Sequence, residues 1–215
     1  RTARRTARRR RPTAPRRDEA PGPHFSPSVG VPDSRLSDPQ PVRAVALLHQ
    51  EGVLGLIAIV GLSFREGGPI QALAPTIAPA ASLALGVGAG LGSSLLLWFV
   101  RELPPLLELQ WFQQRLVRGW TVSDAVAVAV LSGLAEEALL RALLQPVIGL
   151  LPAAGLFALL HLVPDRRLWL WPAIAFALGL VLGLLYDGAG YPAAAAGHIV
   201  INACALLRLR RLQAP

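Results

Sequence analysis

Lysine and methionine are absent from these 215 residues, cysteine occurs once, and tyrosine occurs twice. With Cys204 alone, no intramolecular disulfide can form and no zinc site can be built from cysteines. Cys204 also lies inside an apolar segment, which gives no support to a thiol nucleophile. The missing lysine makes every fixed positive charge an arginine, a trait of composition from which no function is read. The scarcity that decides most is charge. Only 16% of residues are charged while 53% are hydrophobic, and mean hydropathy is +0.48. A soluble domain carries about 25% charged residues. Long apolar segments take their place, and they define an integral membrane protein.

The net charge of +8 is local. Residues 1–17 hold 9 of the 21 basic residues and no acid, which leaves 12 basic against 13 acidic, or −1, for the other 198. Residues 1–41 are rich in Arg, Pro, Ser and Asp and are predicted to be a disordered basic arm. The apolar body, 42–210, is predicted to be a helical bundle. An arginine arm next to a first span holds that end on the cytoplasmic side and attracts anionic lipid, so no nucleic-acid partner is expected. The arm also makes a poor signal peptide, because a Pro-rich stretch separates it from the first apolar run.

The fold predicted is all-α: a polytopic membrane helix bundle of about six spans, near 43–64, 77–100, 121–145, 148–163, 168–186 and 191–207. Pro146 lies at the end of the third, where a helix tolerates a break. Residues 104–118 read as an amphipathic helix, either lying on the inner surface or packed on the bundle. With the amino terminus inside, the inner segments contain Arg101, Arg115, Arg118, Arg166, Arg167, Arg208, Arg210 and Arg211, and the outer loops only Arg65. The positive-inside pattern therefore places both termini in the cytoplasm. Glycine pairs four apart (Gly86 and Gly90, Gly88 and Gly92, Gly179 and Gly183) invite close helix packing, within the bundle or between copies.

Against this background a few polar residues stand out, because an ionisable group at membrane depth costs about 2.5–3.5 kcal/mol. The stretch SGLAEEALLRALL carries Glu136, Glu137 and Arg141. Glu137 and Arg141 are four apart and can pair on one helix face. Glu136 points about 100° away and is left for another task. His161 ends the fourth span in FALLH. His198 and Asn202 share a face of the sixth in HIVIN. Taken singly, these residues can be an ion pair, an interfacial histidine and an interhelical hydrogen bond. Together they place a carboxylate, two imidazoles and a carboxamide on three spans. That set suits water activation, with Glu as general base, one His holding the water, and a neutral His with an Asn amide donating to an oxyanion. Glu136, His161 and His198 are also candidate zinc ligands. The soluble HExxH pattern is absent, so such a metal would draw its ligands from separate helices.

EEALLR, FALLH and HIVIN, in this order on successive apolar segments, resemble the EExxxR, FxxxH and HxxxN motifs of the CPBP family, the type II CAAX prenyl proteases and their Abi-type relatives. The resemblance covers roughly residues 95–207. It implies an intramembrane endopeptidase in which Glu136 is the base, His161 its partner on the water, and His198 and Asn202 the oxyanion donors. Glu137 and Arg141 would fix the electrostatics, and Phe157 would pack or line the site. It implies either a divalent metal such as Zn2+ or a metal-free, glutamate-driven reaction, and both stay open here. The substrate implied is a membrane-anchored or lipidated protein; the Arg-rich, Lys-free composition hints at a bacterium, and the location expected is then its inner (plasma) membrane.

Two other readings are carried forward. A catalytically silent relative would act in immunity or regulation through binding. A small proton-coupled transporter would use the same ionisable residues for flux, although the first three segments do not resemble the last three, as internal repeats would. Oligomeric state is left open.

Overall fold

The computed structural model describes residues 39–213, all of which lie in one compact unit. The predicted arm falls outside the described residues except for its last three. The helices are α1 (Ala44–Ser63), α2 (Gly68–Ala72), α3 (Pro79–Val100), α4 (Pro104–Leu116), α5 (Val122–Glu137), α6 (Gln145–Ile148), α7 (Leu150–Leu160), α8 (Leu170–Ala189) and α9 (Tyr191–Arg211). A π-helical segment, Ala138–Leu144, joins α5 to α6. Among the described residues the only strand-like pairing is an isolated bridge between Pro75 and Gly190.

Four stretches are long and apolar enough to cross a membrane: Ala44–Ser63, Pro79–Val100, Arg166–Ala189 and Tyr191–Arg211. Their outward faces carry large apolar side chains, such as Leu56, Leu85, Leu96 and Leu184, exposed by half or more. On a soluble protein such a surface would be an aggregation hazard; in a bilayer it faces lipid. The chain is an integral membrane protein.

The other two expected spans differ from the rest. Residues 122–148 form one continuous helical run, long enough to cross but carrying Glu136, Glu137 and Arg141. The expected fourth span is α7, whose 11 residues reach about 16 Å, half of the ~30 Å hydrocarbon core. Helix directions still follow six alternating passes. Gly55 faces Ala135 and Gly61 faces Leu143, so α1 and α5 run parallel. Gly86 faces Ala193 and Gly90 faces Gly197, so α3 and α9 run parallel. Gly179 faces Ala154 and Gly183 faces Leu150, so α7 and α8 run antiparallel.

α9 is the hub, packed on α3, α5 and α8. Small residues make this possible. A Cβ on Gly86 would come within 2.2 Å of the Ala193 carbonyl, whereas Gly88 and Gly92 face open space. The first and third predicted glycine pairs therefore pack inside the bundle. α4 packs onto the bundle through Leu109, which meets Leu168 with Phe112, Val163 and Trp171 around it.

The π segment has a local cause. Proline at 146 cannot donate a backbone hydrogen bond, and its ring clashes with the carbonyl four residues back, that of Ala142. The helix widens instead, and the Gln145 amide donates to the Leu140 carbonyl. The freed carbonyls of Ala142 and Leu143 accept from the Arg65 guanidinium at 2.9 and 3.2 Å.

Candidate active site

A capping box starts α5. The Asp124 amide donates to Thr121 Oγ1 at 3.1 Å and the Thr121 amide to Asp124 Oδ2 at 2.8 Å. From there the helix carries Ser132, Glu136 and Glu137 inward, and all three are buried. The predicted pair is present: Arg141 Nε donates to Glu137 Oε2 at 3.0 Å, with both side chains fully buried. The second oxygen of Glu137 meets His198 Nδ1 at 2.8 Å. One carboxylate thus bridges the π segment and α9. Such a group is held by both neighbours, because losing either leaves one oxygen of a buried carboxylate without its hydrogen bond.

Glu136 is arranged differently. It is 8% exposed, and its Oε2 has no hydrogen-bond partner among the described residues. His198, His161, Glu137 and Arg141 are the ionisable groups close enough to act on it electrostatically. The contrast between the adjacent glutamates follows from helix geometry, which turns their side chains about 100° apart.

Both imidazoles are anchored through Nδ1. His161 Nδ1 faces its own helix at the Phe157 carbonyl, 2.8 Å away, and so it donates there. In either ring a neutral tautomer that donates from Nδ1 keeps a lone pair on Nε2. For His198 this constrains the reading from sequence: a neutral His198 donating to Glu137 has no second N–H for an oxyanion, whereas an imidazolium does. Asn202 Nδ2 donates to Ser132 Oγ at 2.9 Å and retains one amide proton. Phe157 is buried against this group, with its ring 4.8 Å from that of His161, 5.4 Å from that of His198, and 5.5 Å from the Arg141 guanidinium carbon.

A cavity of about 190 Å³ opens beside them, lined by Phe157, His161, Trp171, His198 and Asn202 with apolar residues of α4, α8 and α9. Glu136 is not among its lining residues. An Nδ1-anchored imidazole with Nε2 free is how ligating histidines are commonly held. Yet among the described residues no three His, Cys, Asp or Glu side chains converge tightly enough to hold a metal ion. As placed, Glu136, His161 and His198 do not form a three-ligand centre.

The sequence reading missed two members of this neighbourhood. Ser132 had no signal beyond lying four residues before Glu136. Glu51 on α1 is 5% exposed with Oε2 unpartnered, and Glu136 and His198 act on it electrostatically. Its signal was an acid inside the first apolar segment, the span near 43–64.

These features define a membrane-embedded helical protein with a buried ionisable centre built on three helices. Residues 118–204 match the family model described as Type II CAAX prenyl endopeptidase Rce1-like. This segment contains Glu136, Glu137, Arg141, His161, His198 and Asn202, and the match supports the resemblance to the CPBP family that their motifs carry. No curated protein and no solved structure gives a significant match.

Proposed function

We propose that the chain is an intramembrane endopeptidase that hydrolyses a peptide bond in a membrane-anchored or lipidated protein, with Glu136 as general base. The observation that carries this reading is the difference between adjacent glutamates. Glu137 is committed to Arg141 and His198, while Glu136 keeps a buried, unpartnered oxygen within electrostatic reach of both histidines.

In the proposed reaction His161 accepts a hydrogen bond from water through Nε2 and holds it. Glu136 removes the proton as the water oxygen attacks the carbonyl carbon. The negative charge that develops on the carbonyl oxygen is met by Asn202 Nδ2–H and by Nε2–H of His198 as an imidazolium. That charge state is self-consistent: Arg141 and His198 contribute two positive charges, Glu136 and Glu137 two negative ones. Protonated Glu136 then returns its proton to the leaving amine. No step runs through a metal.

The test is cleavage of a pool of membrane-anchored peptides by purified protein, wild type against Glu136→Gln, each with and without a chelator. Turnover in the Gln variant is expected to fall by at least ~100-fold, the lower range for loss of a general base, with no loss on chelation of the wild type. Undiminished cleavage by the variant would remove Glu136 from the mechanism. Cleavage abolished by chelator and restored by Zn2+ would replace the glutamate-only scheme.

A further inference from the structure

The cavity beside His161, His198 and Asn202 has a second polar end, which the proposed reaction does not use. Along α9 it is lined by His198, Asn202, Ala205 and Arg208, positions three or four apart that share one helix face. At 1.5 Å per residue, Arg208 stands about 9 Å beyond Asn202. Arg101 lines the same cavity from the end of α3, which it caps in helical conformation. The packing of α3 on α9 brings the two arginines together. Ser82 Oγ donates to the Ala189 carbonyl at 2.8 Å, and Gly86 and Gly90 meet Ala193 and Gly197, each pair 107 residues apart. The same separation joins Arg101 to Arg208. Two parallel helices therefore carry both guanidinium groups at one level.

No acid lines the cavity to neutralise them. Arg101 donates to the Trp98 carbonyl at 2.7 Å and to Glu102 at 2.8 Å, and that glutamate side chain is 77% exposed. Arg208 donates to the side-chain oxygen of Gln110, a neutral acceptor, and pairs with no acid among the described residues. Two guanidinium groups at one level favour an anion between them, and phosphate oxygens match their planar fork. The other walls are largely apolar, with Leu97 of α3, Leu106 of α4 and Leu178 of α8. The pair also stands where two apolar stretches finish, Pro79–Val100 and Tyr191–Arg211. In a bilayer that is headgroup depth. An anion there with an apolar chain reaching into the bundle is the layout of a phospholipid, not of a soluble acidic peptide.

We propose that this end of the cavity binds an anionic phospholipid, its phosphate held between Arg101 and Arg208 and an acyl chain along the apolar walls toward Asn202. The site rests on the cavity and on the register of α3 against α9. Its consequence for activity rests on the peptidase reading, because a lipid chain and a peptide at the histidines then compete for one cavity.

Native mass spectrometry of the full-length protein, titrated in detergent with phosphatidylglycerol or phosphatidylcholine, tests the site without any substrate. Wild type is expected to retain phosphatidylglycerol that phosphatidylcholine does not displace. Arg101→Gln and Arg208→Gln are each expected to weaken that binding by about fivefold, and the two together by ~25-fold. The double variant Arg118→Gln/Arg211→Gln removes two exposed arginines that do not line the cavity and is expected to bind as wild type does. Binding to the arginines of residues 1–17 is common to all these proteins and cancels. Equal retention of the two lipids, equal loss in the two double variants, or inorganic phosphate competing as well as the lipid overturns the proposal. If Arg208→Gln does not fold, Arg101→Gln, which lies past the end of α3, carries the test. Where a substrate is in hand, phosphatidylglycerol is expected to raise KM and leave kcat unchanged in wild type, and to do neither in Arg101→Gln/Arg208→Gln. Selective retention by a protein that cleaves nothing counts against the peptidase reading only; an active enzyme without selective retention counts against the lipid site only.

Discussion

α3 and α5 both pack on α9, and both rely on glycine to do so. On α3, Gly86 and Gly90 meet the backbone at Ala193 and Gly197; on α5, Gly133 meets Ile199 and Ala195. Beyond that the contacts diverge. The α3 contact is made of small side chains and backbone, and α3 turns the rest of its surface outward, with 11% of its apolar window buried. The α5 contact adds the Glu137–His198 and Ser132–Asn202 bonds, with Arg141 behind Glu137. Close approach of two helices is therefore common to both contacts, and of the two only the α5 contact carries ionisable side chains across it.

Substitutions can separate the two kinds of contact. The largest effect is expected for Arg141→Ala, which leaves Glu137 buried with His198 as its remaining partner. Loss of one member of a buried pair costs about 3–5 kcal/mol, read as a lower unfolding temperature of the purified protein together with loss of cleavage. A loss under about 1 kcal/mol would show that His198 alone holds Glu137. Next comes Gly86→Leu, which drives a side chain into the Ala193 carbonyl and is expected to cost about 1–3 kcal/mol as overpacking. Gly88→Leu faces open space and is expected to stay within about 0.5 kcal/mol. Equal effects of the two in the same unfolding assay would mean that α3 does not meet α9 through its Gly86 face. The smallest is Ser132→Ala. It removes one hydrogen bond to Asn202, worth about 0.5–1.5 kcal/mol, and is expected to lower kcat more than stability, since Asn202 loses its anchor. Unchanged kcat would separate Asn202 from the oxyanion role.

What could be read before folding was whatever local spacing controls. Long apolar runs placed α1, α3, α8 and α9, and i,i+4 spacing paired Glu137 with Arg141. The motifs drew His161, His198 and Asn202 to the same centre. The second partner of Glu137 was not legible, because it depends on how α9 turns toward α5; His198 had been assigned to the oxyanion or to a metal. Glu51 and Ser132 escaped for the same reason, since their burial comes from the parallel packing of α1 on α5, which no local pattern encodes. α7 was read as longer than it is. Its apolar composition runs on past His161, while the helix stops there and hands over to a loop and the turn capped by Asp165.

The π segment has a consequence for how the chain tolerates change in length. A π turn holds one more residue than an α turn, so Ala138–Leu144 acts as a phase adjuster between the two halves of one long helix. Deleting a single residue there would let the segment close to ordinary α geometry with the helix after it turned in nearly the same direction. Glu136 and Glu137 would keep their places. Gln145 would keep Asp187 and the Gly183 carbonyl, which it holds at 2.8 and 3.1 Å. The segment thus takes up one residue in length between a half that carries the two glutamates and a half that meets α8, and a deletion within it is expected to be tolerated better than one in α5.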